Sequence, residues 1–366
     1  MANKRVYYAC RGFEVQNVKT AADVVTIDSP FIPHGIQSVG ITTNFNIEKI
    51  FQLGQLATYD QVSNNPQVEL AINKVIDGSR PLLLSLMADN QTMDSGSLVS
   101  MQDNRVNVKM GIYPDTDILT SGSVPVSTLS CTGMYLNNIS FTFPTEGNFT
   151  EEGTLVGNNK TWTDGVETKT VDDGYGHTTV IAGIGQGFTK ETTAPSTARR
   201  YKLNKTASIF PTGAGGMRPV DGSGLPPLTS IKVSCDFGRE AVYSLGSYEP
   251  YMRYIKFPVD VTTEIETIAI DGDHIDMGPS QFSCIAQTGF LMNFPIRLAI
   301  CGSGTGDGFY IDLGTHNKIQ SINYAGGDTG GGNMTMTYSF ANSSQLDIKA
   351  SGTFILPTVL FSGSPV

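Results

Sequence analysis

Charged side chains are scarce in this chain of 366 residues: they make up 16% of it, against 39% hydrophobic residues. So little charge is unusual for a protein built from surface helices, because the outer face of such helices is normally charged. Glycine and proline are plentiful, with 40 and 18 residues, which is typical of a chain with many turns. The composition therefore predicts an all-β protein with one or two short helices.

Positive charge is in particularly short supply. Lysine and arginine together number 24 against 34 aspartates and glutamates, a formal net charge of -10 at pH 7. Proteins that bind nucleic acid tightly normally present a basic patch. This balance disfavours intimate DNA binding but not the passage of DNA past the protein.

Cysteines are few, and long apolar runs are absent. The 5 cysteines are widely spaced and never paired as CxxC, which predicts reduced thiols in a reducing compartment. No stretch approaches the roughly 18 apolar residues of a membrane span, and residues 1–20 lack the apolar core of a signal peptide. The chain is thus expected to avoid the membrane and the usual export route.

Residues suited to catalysis or metal binding are sparse. The run 271–276 (DGDHID) brings carboxylates and an imidazole together, but it fits neither calcium-loop nor zinc spacing, which favours a polar turn over a metal site. The glycine-rich runs 302–306 and 326–332 lack the lysine of a phosphate-binding loop and predict hairpin loops. The histidines lie in turn-like or glycine-rich surroundings without a G-x-S-x-G motif: His34, His177, His274 and His316. These patterns predict no enzyme, no cofactor and no metal.

A possible sugar-stacking platform is formed by Trp162 with Phe141 and Phe143. The two phenylalanines alternate with Ser140 and Thr142, however, and this alternation favours a position in the core of a sheet.

What the chain does contain is a long repeat. Residues 36–54 read IQSVGITTNFNIEKIFQLG, and residues 228–246 read LTSIKVSCDFGREAVYSLG. Three later segments recur in the same order at a slowly drifting offset: 108–112 as 296–300, 136–141 as 319–324, and 147–150 as 332–335. A period near half the chain is too long for a solenoid. It predicts two tandem domains, 1–197 and 198–366, the first with a loop insertion at about 158–196.

Local patterns predict the elements within each half. A serine at position 79 and Pro81 precede the apolar run 82–87, which predicts a helix; the second half has no matching run, so its helix is expected to be altered or lost. The stretch 46–65 and its twin 238–257 carry apolar residues without a clean period and are interpreted as long excursions. Alternation predicts strands at 5–15, 23–27, 36–43, 66–76, 104–113, 127–132, 134–143, 150–156 and 259–270.

The repeated strand-and-excursion motif, the Pro-x-Val strand closed by Asp77 and Gly78, and FTFPTEGNFTEEGTLVG at 141–157 resemble the major tail tube proteins of long-tailed bacteriophages, here with two tandem tube domains. The resemblance implies two tandem β-sandwich or barrel domains whose inner sheets join between subunits into a β-barrel around a DNA channel. It also implies a virion protein, assembled in the cytoplasm of the host bacterium, that polymerises as stacked rings. Two domains per chain favour a ring of three chains, a pseudo-hexamer, over a ring of six.

Further partners follow from the same resemblance: the tape-measure protein, the tail terminator, baseplate or tip proteins, and DNA in transient passage without sequence specificity. The alternative function is a tandem β-sandwich adhesin or carbohydrate-binding virion protein, which would also suit glycine- and threonine-rich loops and scarce charge.

Two sets of residues are candidate functional sites. Period two places acidic side chains of the strand at 259–270 on one face, which matches a face of the strand at 66–76 after a one-residue slip in the repeat. This face is expected to line the lumen and to keep DNA phosphates from sticking, with an ordinary solvated outer face as the alternative: Glu69, Asn73, Asp260, Glu264 and Glu266.

The second set comprises apolar residues of the two excursions, which are expected to form ring-stacking arms. The alternative is a loop folded over its own domain. The residues are Ile50, Phe51, Leu53, Leu56, Tyr59, Tyr243, Leu245, Tyr248 and Tyr251.

Overall fold

The computed structural model describes residues 11–21, 24–27, 31–33, 35–76, 81–87, 95–98, 104–113, 125–164, 169–172, 178–181, 202–203, 228–246, 250–269, 293, 296–301, 308–326 and 333–350. Strands dominate this part of the chain, which contains one six-residue helix, α1 (Leu82–Met87). The predicted all-β class is therefore confirmed, as is the predicted helix. Across these ranges no helix has the length and apolar character that would let it cross a bilayer.

The strands are β1 (Arg11–Ala21), β2 (Val24–Ile27), β3 (Ile36–Asn44), β4 (Ile47–Phe51), β5 (Thr58–Ser63), β6 (Gln67–Val75), β7 (Ser95–Ser97), β8 (Arg105–Ile112), β9 (Ser127–Pro144), β10 (Thr150–Gly157), β11 (Asn159–Asp164), β12 (Lys169–Asp172), β13 (Thr178–Ile181), β14 (Lys202–Leu203), β15 (Leu228–Asp236), β16 (Glu240–Tyr243), β17 (Pro250–Tyr254), β18 (Asp260–Ile268), β19 (Arg297–Cys301), β20 (Gly308–Asp312), β21 (Lys318–Ala325), β22 (Thr335–Ser343) and β23 (Asp347–Ala350).

The central feature is an antiparallel run of eight strands in the order β3-β6-β10-β9-β15-β18-β22-β21, which we call the central sheet. Four of its strands come from the first half of the chain and four from the second, and the order within each half is the same. Even the β-bulges recur, between Ile36 and Ser38 in β3 and between Leu228 and Ser230 in β15. The two halves are joined in the middle by hydrogen bonds between β9 and β15.

Each half adds a second group of strands. In the first half the order is β2-β1-β8-β9-β11. In the second half it is β14-β19-β20-β23, and β7 from the first half adds a fifth strand beside β23. The 18-residue strand β9 belongs to both groups of the first half: its beginning pairs with β8 and its end with β10. In the second half two strands take the place of β9: β20 pairs with β19, and β21 pairs with β22. A contiguous apolar core, drawn from both halves, includes residues of α1 and of both groups of strands.

Three predicted boundaries differ from the structure. The predicted strands 127–132 and 134–143 are one strand, because Gly133, with a φ of 63°, bends the chain while its N–H donates to Asn107 Oδ1 at 3.1 Å. The first strand continues beyond Val15 to Ala21, where it pairs with β2, while residues 5–10 lie outside the described ranges. Within the predicted loop insertion at 158–196, residues 159–164 instead form β11 against β9, and β12 pairs with β13.

Helix α1 is held by a buried charged pair. Lys74 Nζ lies 2.8 Å from Glu151 Oε1, and both side chains are almost fully buried. The other carboxylate oxygen of Glu151 accepts a hydrogen bond from the backbone N–H of Leu82 at 2.8 Å, which satisfies an N–H at the start of the helix. The equivalent cross-strand pair of the second half is Thr267 and Met336. Neither residue carries a charge. The predicted cap at position 79 and the run 271–285 lie outside the described ranges.

Candidate assembly surfaces

Both excursions form β-hairpins: β4 pairs with β5, and β16 pairs with β17. We call them the first and the second hairpin. The glycines shared by the repeat lie at their turns, where Gly54 and Gly246 have φ values of 89° and 88°. Glycine adopts this backbone conformation without the steric cost that other residues incur. The prediction that these stretches are not helices is confirmed; their strand character was not predicted.

The residues proposed for stacking lie on these hairpins with their side chains exposed. Leu53, Leu56 and Leu245 at the turns are fully exposed. The others are at least two-fifths exposed: Ile50, Phe51, Tyr59, Tyr243 and Tyr251; Tyr248 lies outside the described ranges. Further apolar side chains of the same surfaces were not predicted: Phe45, Ile47, Val62, Val242, Tyr254 and Phe257. Clustered exposed apolar residues of this kind mark interaction surfaces.

The first hairpin has internal hydrogen bonds at its base. The Asn64 N–H donates to the Asn46 carbonyl at 3.0 Å, and Asn64 Nδ2 donates to Glu48 Oε2 at 3.3 Å. Asn46 Nδ2 donates to the Asn65 carbonyl at 3.0 Å. The apolar side chains of this hairpin are exposed in the single chain.

The second hairpin is fastened to the first half of the chain by Arg239. Arg239 Nε donates to the Leu136 carbonyl at 3.0 Å, and Nη1 donates to the Arg253 carbonyl at 3.0 Å. The guanidinium lies 5.1 Å from the centroid of the Tyr135 ring, within the range of a cation–π contact. At the corresponding position of the first hairpin the repeat has Ile47, which is exposed.

Arg253 adds a second fastening point. Its Nη2 donates to Asn158 Oδ1 at 2.7 Å, and Asn158 Nδ2 donates to the Pro66 carbonyl at 2.8 Å. Burial lowers the pKa of the Arg253 guanidinium. In the repeat, Gln61 takes the place of Arg253 and is exposed. The described strands of the two hairpins therefore pair in the same way, but their attachments differ.

One face of the central sheet packs on the core, and the other is polar. The residues proposed for the lumen lie on this polar face: Glu69, Asn73, Asp260, Glu264 and Glu266. The pairing of β3 with β6 and of β15 with β18 shows the one-residue slip inferred from the sequence, because Ser38 lies opposite Asn73 while Ser230 lies opposite Glu266. Ser230 Oγ donates to Glu266 Oε2 at 2.9 Å.

Other charged residues of the polar face were not predicted. Glu152 accepts a hydrogen bond from Asn73 Nδ2, and Asp236 lies opposite Asp260. Burial, together with the carboxylates of Asp236 and Asp260, raises the pKa of the Cys235 thiol to about 12. Two lysines also lie on this face, Lys232 opposite Glu264 and Lys318 near one end. Successive side chains of a strand point to opposite faces, so Glu152 could be assigned to the polar face from its buried neighbour Glu151, but only once the strand boundaries were known.

In its described part the central sheet does not close on itself: it ends at β3 and at β21. The repeat relates these two strands to β15 and β9, the pair that joins the halves. Val39 and Ile41 of β3 are half-buried, whereas Ile231 and Val233 at the same positions of β15 are fully buried. Among the described residues β15 pairs with a strand on each side, whereas β3 pairs with β6 alone.

Of the other candidate sites, the stacking platform is not formed as a surface. Phe141 and Phe143 are buried in the core, as their alternation indicated, while Trp162 is half exposed. His316 is exposed beside Gln345, with Gln345 Nε2 3.0 Å from its Nδ1. The other histidines and the run 271–276 lie outside the described ranges.

Comparison with known proteins gives little further guidance. No protein-family model matches the sequence, and no curated protein matches it. Among solved structures, the chain is similar to one in the cryo-EM structure of the anti-feeding prophage baseplate, with a TM-score of 0.29 and 12% identity, over 45% of this chain and 98% of that one.

The attachment of the second hairpin can be tested by removing its guanidinium. We expect Arg239→Met to lower the free energy of unfolding by about 2–4 kcal/mol, because two buried backbone carbonyls lose a charged donor. The matched control is Ile47→Met at the equivalent exposed position, which should change the stability by less than about 0.5 kcal/mol. Urea denaturation of both variants measures the difference; equal stabilities would contradict the fastening role.

Proposed function

We propose that this protein is a structural virion protein that polymerises as stacked rings into the hollow tail tube of a long-tailed bacteriophage. The observation that supports the proposal most strongly is the open central sheet. It consists of two equivalent four-stranded units, and the strands that end its described part, β21 and β3, correspond to β9 and β15, which are paired at its middle. The contact that joins the two units within one chain is thus available again between chains.

Ring formation follows from this geometry. Pairing of β21 in one copy with β3 in the next is a head-to-tail contact, and such contacts generate closed rings when the rotation between neighbours allows it. Closure removes both exposed edges, which otherwise invite uncontrolled pairing. Three chains would supply three sheets of eight strands each. Barrels of about 16–18 strands already enclose a water-filled channel, so a barrel of this size would enclose a wider one.

The polar face is the surface that would line this channel, because the opposite face is covered by the core. Its carboxylates would repel the phosphates of passing DNA and prevent tight binding. The proposed lumen residues are Glu69, Asn73, Asp260, Glu264 and Glu266, to which the structure adds Glu152 and Asp236 on the same face.

The hairpins would connect successive rings. A head-to-tail contact along the axis does not close and so produces a filament. The exposed leucines Leu53, Leu56 and Leu245 at the hairpin turns are suited to it, because their burial between rings would be favourable by about 1.5–3 kcal/mol each. We assign the tape-measure protein, the tail terminator and baseplate or tip proteins as further partners, without catalysis or a cofactor. Burial of Phe141 and Phe143 disfavours the carbohydrate-binding alternative.

The assembly itself is the first test. Purified protein should form rings or hollow tubes in electron micrographs, and native mass spectrometry of a single ring should give the mass of three chains. Discrete monomers at all concentrations would reject the tube proposal. A mass of six chains would keep the tube and reject the pseudo-hexamer.

The stacking role predicts a separation of rings from tubes. The triple variant Leu53→Ser, Leu56→Ser and Leu245→Ser should still form rings but no longer stack them, because the apolar surface between rings is lost. Val126→Ser changes an exposed apolar residue outside the hairpins and should leave tube length unchanged. Sedimentation and micrographs report both; tubes of normal length in the triple variant would contradict the assignment.

The lumen assignment predicts that added positive charge retains DNA. Assembled tubes of Glu69→Lys with Asp260→Lys should bind duplex DNA, with an affinity that falls about a thousandfold between roughly 50 and 200 mM salt if the lysines of one ring each meet a phosphate. Glu146→Lys with Asp164→Lys makes the same charge change at exposed positions off this face and should bind far less. Equal DNA binding by the two variants would place the polar face outside the channel.

A further inference from the structure

The central sheet also indicates which residues meet between chains, given the proposed function on which this inference rests. We infer that β21 of a second copy pairs with β3 in the register of the internal joint, with Thr42 opposite Asn323. Phe45 then occupies the position in the neighbouring copy that Phe237 occupies within the chain.

The register follows from the two β-bulges of the repeat. In β9 the bulge falls at Asn137, between residues that pair with Leu155 and Thr154 of β10. In β21 it falls at Gln320, between residues that pair with β22. Superimposing the bulges relates Ser140 to Asn323, while the constant offset of the repeat relates Ser234 to Thr42.

The internal joint then supplies the partners. Ser140 lies opposite Ser234, and Phe141 lies opposite Val233. Transferred to the free strands, these pairs become Asn323 with Thr42 and Tyr324 with Ile41. Polar side chains meet on the polar face and apolar side chains meet on the core face in both joints. No pair in this transfer sets like charges against each other.

Phe237 and Phe45 provide an independent observation. Phe237 is fully buried, and its N–H donates to the Asn137 carbonyl, at the bulge, at 2.8 Å. Phe45, at the same place in the repeat, is 63% exposed. The residue that corresponds to Asn137 is Gln320, on the free strand β21. An exposed aromatic side chain next to β3, which ends the described part of the sheet, is accounted for if the second copy covers it.

The joint between chains lacks the arginines of the internal joint. Ile47 and Gln61 replace Arg239 and Arg253, and Lys318 replaces Tyr135 of the cation–π contact. The contact that forms during assembly therefore contains no buried guanidinium, in contrast to the internal joint. The occupant that fits this surface is another copy of the same chain.

Cysteine cross-linking tests the register. Hydrogen bonds at Phe237–Asn137 and Thr229–Thr145 make Ser234–Ser140 a non-hydrogen-bonded pair, with an expected Cα separation of about 4.5 Å, which suits a disulfide. We expect Thr42→Cys with Asn323→Cys to give covalent multimers up to the ring size after mild oxidation. Native Cys131 and Cys235 are buried, with thiol pKa values raised to about 11 and 12 by desolvation, so the unsubstituted chain serves as the background.

Two controls accompany this variant. Ser140→Cys with Ser234→Cys should form a disulfide within one chain and shows that the oxidation works. Thr42→Cys with Ser321→Cys is shifted by two residues on the same face and should cross-link at least tenfold less than the matched pair. Rings that cross-link through the shifted pair, or through neither pair, would overturn the register while leaving the tube proposal intact. A failure to form any rings would reject the proposed function and this inference together.

Substitutions of Phe237 and Phe45 test folding and assembly separately. Phe237→Ala should lower the thermal midpoint of the single chain, because it leaves a cavity in the core. Phe45→Ala should leave that midpoint unchanged and raise the protein concentration needed for ring formation by about tenfold or more. Ring formation at the unchanged concentration, or an equal loss of thermal stability in both variants, would overturn the assigned position of Phe45.

Discussion

The backbone hydrogen bonds of the edge strands constrain the rest of this structure. A strand needs partners on both sides to satisfy its N–H and C=O groups and to bury its core-facing side chains. The pairing of β9 with β15 meets this need in the middle of the central sheet, where Val233 and Phe141 are fully buried. At the ends of the described part of the sheet the core-facing side chains are less buried: Tyr324 of β21, at the position equivalent to Phe141, is 44% exposed.

The two halves of the chain have different residues at equivalent positions where the surroundings of those positions differ. Arg239 lies in a joint that is always formed, so its buried guanidinium keeps its carbonyl partners permanently. Ile47 is exposed in the single chain, so a charge at that position would have to be desolvated each time the chains join, and desolvation of a charge is costly. Lys74 and Glu151 are another difference between the halves. They form a buried charged pair in the first half, where Glu151 also accepts a hydrogen bond from the N–H of Leu82 at the start of α1. The uncharged Thr267 and Met336 occupy those sites in the second half.

Much of the fold was accessible from the sequence, because period-two alternation and glycine at turns are local signals. The helix at 82–87 and the strands around Ile41, Leu70 and Ile265 are examples. What the sequence could not show were pairings over long distances. The fastening of Arg239 to Leu136 spans 103 residues, and nothing near Arg239 marks its acceptor. The hairpins were missed for a related reason: their apolar residues show no period, since neither face of the first hairpin is buried in the single chain and Arg253 is the one buried residue in the strands of the second.

The scarcity of charge acquires a physical reason in this arrangement. Most soluble proteins keep charged side chains on surfaces that stay in water, but the surfaces of this chain have other roles in the proposed assembly. The hairpins present leucine and tyrosine, the free strands present serine, threonine and asparagine, and the core-facing side is apolar. Carboxylates collect on the polar face. Their neighbours across the strands include Ser230 opposite Glu266 and Lys232 opposite Glu264, although Asp236 lies opposite Asp260. A passing polyanion would find little to bind on this face.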